Sequence, residues 1–269
     1  MSDLKGIILA GGLGKRLGPL TKITNKHLLP IYDQPMIYYP IQLLVDAGIK
    51  DILIVTGGQH AGEFLRLLGN GQAFGLTHIN YTYQEGEGGI AQALGLARHF
   101  ALGKKIVVVL GDNILENSIK PYVDRFRKQK DGARVLLKEV EDPERFGVAE
   151  MTKGKISSIV EKPKKPKSNL AVTGVYMYDA QVFEIIKNLK PSGRGELEIT
   201  DVNNAYLHKG QLEYDVLKGW WTDSGTFDSL LRANQLVAQK KIKNSGATAW
   251  PTSILKFSSR EGRGSSAPA

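Results

Sequence analysis

A few short stretches of this chain carry residue types and spacings that could do chemistry. The first is KGIILAGGLGKRL, residues 5–17. An apolar run ending in Leu9 and Ala10 breaks into Gly11, Gly12 and Gly14, and Lys15 and Arg16 follow at once. Glycines let the backbone turn sharply and approach a ligand closely. Consecutive free N–H groups in such a turn form an anion-binding concavity. This order suits a phosphate cradle; a plain tight turn is the other reading. It is neither of the two better-known cradles. Leu9 stands where a P-loop needs its first glycine, and Arg16 follows Gly14-Lys15 where Ser or Thr is required. Leu17 stands where the dinucleotide fingerprint needs its third glycine.

Two aspartates could hold a divalent cation. Asp112, in Gly111-Asp112-Asn113, follows the apolar run 106–110 directly. A carboxylate there faces the ligand crevice of an open α/β sheet, and Mg²⁺ takes one or two carboxylates plus phosphate oxygens. The competing role is a loop cap. Asp223, in WWTDSG, is a second metal carboxylate, a helix cap or a turn residue. Lys26, before His27-Leu28-Leu29-Pro30, is a surface lysine or a point charge on a triphosphate. Gln84 offers a donor and an acceptor to a base edge, and the glycines through Gly89 let backbone approach a planar ring. Glu161-Lys162 suits a sugar hydroxyl and a phosphate, or is a solvated charge pair. Arg194 opens an acid-rich segment that also reads as a helix start. There is no Cys nucleophile and no G-x-S-x-G elbow, so covalent catalysis has no support in the sequence.

The elements that must position these residues alternate. Strand-like runs at 6–10, 52–55, 79–83, 106–110 and 135–137 are interleaved with helical patterns at 37–47, 63–68, 90–101 and 119–128. That order implies βαβ units and a mostly parallel sheet covered on both faces. The run 106–110 has no polar alternation and is expected to be a central strand. After residue 140 short strands at 147–150, 156–160 and 172–178 suggest antiparallel structure. Helical patterns follow at 180–188, 197–209 and 229–239. Residues 244–269, rich in Ser, Gly, Ala and Pro, are expected to be mostly disordered. The fold class is therefore α/β and Rossmann-like: a mixed, mostly parallel sheet flanked by helices, with a smaller antiparallel lobe. Residues 1–243 form one domain, with a first half to about 140 and a second half over 141–243.

At 269 residues the chain can bury one sizeable core. It has no cysteine, so disulfides and Cys-based zinc sites are excluded and a cytoplasmic location is expected. No apolar run approaches the roughly 20 residues of a membrane span. The formal charge is +9, but five of those charges lie within residues 240–269, which leaves no basic stripe for nucleic acid.

Nine blocks in order resemble the sugar-nucleotide pyrophosphorylases: LAGGLGKRL, TNKHLLP, PMIYYPI, GGIAQAL, VLGDN, DPERFGVAE, EKPKKPKSNLAVTGVYMYD, GRGELEITDVN and WWTDSGT. The likeness spans residues 5–243 and is strongest to the short bacterial thymidylyl-transferring members. It implies the nucleotide-diphospho-sugar transferase fold and a Mg²⁺-dependent, direct transfer from dTTP to glucose 1-phosphate, opening dTDP-L-rhamnose type deoxysugar synthesis. UTP as donor, or a catalytically silent sugar-nucleotide sensor, are the alternatives. The resemblance places Leu9, Ala10, Gly11, Gly12, Gly14 and Arg16 at the nucleotide signature and Lys26 on the phosphates. It places His27, Gln84 and Gly89 beside the base, and Asp112 and Asp223 on Mg²⁺. Asn113, Gly147, Glu161, Lys162, Val172 and Arg194 match positions around the sugar phosphate, with Lys162 on the attacking group. It implies a homo-oligomer, dimer or tetramer. Lys15, His27, the 85–88 loop and Thr222 depart from the commoner pattern. The longer members carry a further C-terminal helical segment tied to allostery, so feedback inhibition is expected to be absent or altered.

Overall fold

The computed structural model describes residues 4–245. Nine strands form one sheet: β1 (Leu4–Ala10), β2 (Ile52–Gly57), β3 (Ile79–Gln84), β4 (Lys105–Leu110), β5 (Ala133–Glu139), β6 (Gly147–Thr152), β7 (Lys155–Glu161), β8 (Leu170–Tyr178) and β9 (Leu212–Val216). Among the described residues eight α-helices accompany them: α1 (Tyr38–Asp46), α2 (Ala61–Leu68), α3 (Ile90–Gly95), α4 (Arg98–Ala101), α5 (Lys120–Lys128), α6 (Val182–Lys187), α7 (Ile199–His208) and α8 (Phe227–Ser245). The sheet runs β7-β6-β8-β4-β1-β2-β3, with β5 on the other part of β8 and β9 beyond β5.

The half β4-β1-β2-β3 is parallel, as the alternating strands and helices predict. Its register brings the carboxyl ends together: Leu9 pairs with Val55 and Leu110, and Gly57 with Gln84. Alternate residues of β1 point to opposite cores. Ile7 and Leu9 pack with Ala91, Leu94 and Tyr206 on one face, and Ile8 and Ala10 with Ile41, Phe64 and Phe126 on the other. Val107, Val108 and Val109 are fully buried, so β4 is the central strand expected. Each such valine contributes roughly 1.5–3 kcal/mol relative to exposure.

The antiparallel strands continue the same sheet. β8 pairs Val175 with Val109 and runs opposite to β4. Its earlier residues, through Val172 and Gly174, therefore extend past the carboxyl end of β4 and wall in that edge. The β6–β7 hairpin joins there through Ala171 and Val148. A third core cluster seats Ala233 and Val237 of α8 against Leu17, Leu29 and Met36.

Three elements differ from the sequence expectation. The pattern 90–101 divides into α3 and α4, because Leu96 and Ala97 close a turn between them. β9 was not foreseen; it is a partly exposed edge strand. The last helix runs from Phe227 to Ser245, so residues 244 and 245, expected in a disordered tail, are helical. The rest of that tail lies outside the described residues.

Candidate active site

The carboxyl edge of the parallel half opens into a cavity of about 330 Å³. Each of its walls comes from one strand end. β1 supplies Leu9 and then Gly11, Gly12 and Arg16; β3 supplies Gln84; β4 supplies Asp112 and Asn113. β6 and β7 supply Gly147, Glu161 and Lys162, and β8 supplies Val172 and Gly174. Trp221 and Asp223 close the cavity from the segment before α8. Lys26, His27 and Gly89 also line it. Leu9 and Asp223, 214 positions apart in sequence, are thus gathered in one place.

Three expected residues lie outside the lining. Ala10 is fully buried beneath it. Gly14 caps the short turn Lys15–Leu17 with φ +66, where a side chain would be strained and would also meet Lys26 and Thr21. Arg194 is drawn away by Glu198, with Nη2 donating at 2.9 and 2.8 Å, and reaches Glu161 only at 3.5 Å.

The glycine turn is open to ligand. Gly11 lies so close to Gln84 that an added Cβ would stand 2.5 Å from its Oε1. The Gln84 amide donates to Gln92 Oε1 at 2.7 Å and to the Gly89 carbonyl at 3.3 Å. Gly89 has φ +95, and a Cβ there would meet the Leu197 carbonyl at 2.6 Å. This pins the 85–89 loop to Leu197, whose N–H bonds to the Gly88 carbonyl at 2.9 Å. Lys15 reaches across the mouth to pair with Glu87.

Charge at the floor is arranged in pairs. Lys26 Nζ stands 2.5 Å from Asp112 Oδ2, and both side chains are largely enclosed. Burial pushes the Asp112 carboxyl up, but the Lys26 charge and the hydrogen bonds from Lys26 and Asn113 outweigh it and hold it well below the usual carboxylate range. His27 is buried behind this pair, its Nδ1 2.7 Å from Asn25 Oδ1. Burial first and Lys26 second bring its pKa down to about 3, so its imidazole is neutral at pH 7. On the far wall Arg145 holds Asp223, donating to both oxygens at 2.9 and 3.1 Å. Asp223 Oδ2 also accepts the Gly225 N–H at 3.2 Å, so the turn reading is realised together with the ion pair. Burial and then the Asp112 charge raise the Asp223 pKa. The two aspartates therefore feel each other across the cavity. Arg16 reaches the same wall beside Gly225 and forms no ion pair within the described residues.

Asn113 connects these parts. Its Oδ1 accepts the Gly174 N–H at 2.9 Å and the Trp221 indole N–H at 2.7 Å. Its Nδ2 donates to Asp112 Oδ1 at 2.9 Å. At the other end Glu161 Oε2 accepts the Thr200 hydroxyl at 2.6 Å, and Lys162 lies 3.4 Å from Oε1. Lys162 adopts φ +42, a left-handed conformation rare outside glycine. Such strain clusters where a side chain must be aimed.

The donor set fits a magnesium ion. Two carboxylates face one cavity, each already against a cation, and no group of three or more acidic, His or Cys ligands exists among the described residues. A metal here would take its other ligands from a phosphorylated substrate and water, as Mg²⁺ does.

Sequence reasoning gave no role to Arg145, Gly174, Trp221 or Thr200. Arg145 had a signal: a lone arginine in Asp-Pro-Glu-Arg-Phe at the entrance to a strand. The others are defined by contacts that only folding brings about.

Fold and site together define a class: an α/β protein whose cavity at the carboxyl edge of a parallel sheet, lined by cations and two aspartates, suits a polyanionic ligand. Residues 5–240 match the nucleotidyl transferase family profile. A glucose-1-phosphate thymidylyltransferase of Neisseria meningitidis is 47% identical over 87% of this chain and 82% of its own length. Another from Xanthomonas campestris is 45% identical over 94% of this chain and 87% of its own. A Bacillus anthracis structure described as a glucose-1-phosphate thymidylyltransferase, solved with sucrose, superposes with TM-score 0.83 at 57% identity, covering 87% of this chain and 94% of that one. A UDP-glucose pyrophosphorylase with UDP-glucose bound gives TM-score 0.78 at 25% identity, covering 88% and 98%. The chain belongs to the nucleotidyl transferase family.

Proposed function

We propose that this protein is a glucose-1-phosphate thymidylyltransferase, transferring the thymidylyl group of dTTP to α-D-glucose 1-phosphate with release of pyrophosphate. The observation that carries this reading is the meeting of Asp112 and Asp223 with Lys26, Arg16 and Lys162 in one cavity. Likeness to the thymidylyltransferases at 45–57% identity, against 25% for the UDP-glucose enzyme, supports dTTP as the donor.

The obstacle in this reaction is charge, because a phosphate monoester dianion must approach a triphosphate. No protein nucleophile is required. Gln84 and the Gly89 backbone receive the base beside Leu9. Gly11 and Gly12 bring the chain close to the triphosphate, where Arg16 is free to bind it. Lys26 meets the α-phosphate from the floor while holding Asp112. Lys162 aligns the sugar phosphate opposite the leaving pyrophosphate, and such positioning contributes several kcal/mol. Glu161, Gly147 and Val172 enclose the sugar, with the Thr200 hydroxyl steadying Glu161 and Arg194 paired with Glu198 outside the lining. Asp112 and Asp223 would hold Mg²⁺, which supplies Lewis-acid neutralisation of the phosphates.

In this reading the chain to about residue 140 is the nucleotide half of one domain and about 141–243 the sugar-phosphate half. The product would feed dTDP-L-rhamnose type deoxysugar synthesis, in a cytoplasmic dimer or tetramer. Among the described residues no helix is long and apolar enough to cross a membrane.

The test is pyrophosphate release over a grid of nucleoside triphosphates and sugar 1-phosphates. The fastest rate is expected with dTTP and glucose 1-phosphate. A strong preference for UTP would overturn the base assignment. Tight binding without turnover for any pair would point to a sensor instead.

A further inference from the structure

Arg145 is the cation of this site that the mechanism above leaves unused. It stands in the wall between the main cavity and a second cleft of about 860 Å³, and it lines both. Its guanidinium divides between two carboxylates. Nη2 donates to both oxygens of Asp223, which faces both spaces, and Nη1 donates to Asp142 at 2.7 Å, which faces only the second cleft. The guanidinium carbon lies 5.1 Å from the centre of the Phe146 ring, itself 5.0 Å from that of Trp221. It therefore packs beside an aromatic ring and bonds both acids at once, so releasing Asp223 would leave it held by Asp142.

A guanidinium bonded to both oxygens of a carboxylate takes about half of its lone-pair sites and puts a positive charge where a divalent cation would sit. The two cations also repel each other. On the opposite side of the cavity Lys26 offers Asp112 a compact ammonium that leaves one carboxylate oxygen to Asn113. The two aspartates are thus not equivalent toward a metal.

Taking Asp223 as a metal ligand, as proposed above, we propose that Arg145 is a placeholder cation. It holds Asp223 in the metal-free protein, yields that carboxylate when the divalent ion arrives with the nucleotide, and shifts its hold to Asp142. It is a positioning residue: it keeps Asp223 aimed and screens it from Asp112 until the metal replaces it. Metal affinity is then lower without nucleotide than two free carboxylates would give.

The test is Mn²⁺ binding to the full chain, read from the EPR signal of the free ion, without nucleotide and again with dTTP against a protein-free dTTP blank, and with no sugar phosphate, so that no turnover occurs. Arg145→Gln removes the competitor and is expected to tighten Mn²⁺ about tenfold. Arg145→Lys, which keeps the charge, is expected to lie closer to the parent. Asp142→Asn leaves the guanidinium with Asp223 alone and is expected to loosen Mn²⁺ about threefold. A purely structural arginine would give no tightening in the first variant. Unchanged or weaker binding in Arg145→Gln overturns the inference. If that variant does not fold, unchanged or tighter binding in Asp142→Asn overturns it instead. Asp223→Asn separates the two levels: parent-like Mn²⁺ affinity there would remove Asp223 as a ligand and with it the reading on which this inference rests.

Discussion

Gly174 offers a stringent check on how the site is held together. A Cβ built there would lie 2.6 Å from Cγ, Nδ2 and Oδ1 of Asn113, where ordinary contacts begin at 3.4 Å. Asn113 cannot swing aside freely, because it is 3% exposed and makes bonds to Gly174, Trp221 and Asp112. Gly174→Ala must therefore push this carboxamide back by most of an ångström. Overpacking costs about 1–3 kcal/mol, and each of two broken buried hydrogen bonds adds about 1 kcal/mol. The expected loss is about 3–5 kcal/mol, which lowers Tm by roughly 10 °C for a chain of this size. Asp112 keeps Lys26 but loses the Asn113 hydrogen bond that fixes its other oxygen, so kcat falls along with stability. The assay is urea and thermal unfolding of the metal-free protein, with Gly62→Ala as the control. Gly62 lies on α2 with nothing within 4 Å of an added Cβ. Alanine there is expected to be neutral or to stabilise by up to about 1 kcal/mol. A Gly174→Ala protein melting within about 2 °C of the parent would refute the idea that Asn113 is clamped.

Other expectations follow from the same geometry. Arg16→Ala should lower kcat about a hundredfold or more while leaving Tm unchanged, since Arg16 is exposed and forms no ion pair among the described residues. Asp112→Asn should lower kcat comparably and also destabilise, because it strips the charge partner from the enclosed Lys26; steady-state rates with unfolding curves separate the two variants. His27 sets a pH dependence. Its folded pKa of about 3 lies below the ordinary 6.5, so the unfolded chain binds the extra proton first. That stability is fully present above about pH 6.5 and declines on acidification toward 3, by about 2 kcal/mol at pH 5. Urea midpoints between pH 8 and pH 5 measure this, and His27→Gln should flatten the slope. Trp221→Phe removes the indole donor to Asn113 and should cost about 1–2 kcal/mol in the same unfolding assay.

Most of the parallel half was legible because β1, β2 and β4 are short, largely apolar runs buried along most of their length, whereas β3, with Tyr83 exposed, was marked by its aromatic and β-branched residues. β9 was not, because Leu-Glu-Tyr-Asp-Val is an edge strand with one neighbour, held partly by an Arg134–Asp215 ion pair at 2.6 Å that spans 81 positions. At the site, Asp112 and Gly11 could be singled out by position alone, since each follows a strand whose carboxyl end must face the crevice. Lys26 and Asp223 have no such local mark. Each was a candidate beside a structural reading at least as good, a surface lysine or a helix cap, and only the resemblance chose between them; folding sets each against a charged partner. Arg145 and Gly174 escaped because their meaning lies in partners far along the chain: Asp223 is 78 positions away, and Asn113 is 61. Side-chain identity was readable there, but the juxtaposition was not.

The central claim is that cations and a metal on two aspartates allow one phosphate to displace pyrophosphate from another in a single step, with no adduct on the protein. The most direct measurement is the configuration at the α-phosphorus when one diastereomer of the α-thio analogue of dTTP reacts with glucose 1-phosphate. Inversion is predicted, because a single in-line displacement turns the phosphorus over once. Retention would mean two displacements and a nucleotidyl group carried on a side chain, and would contradict the account.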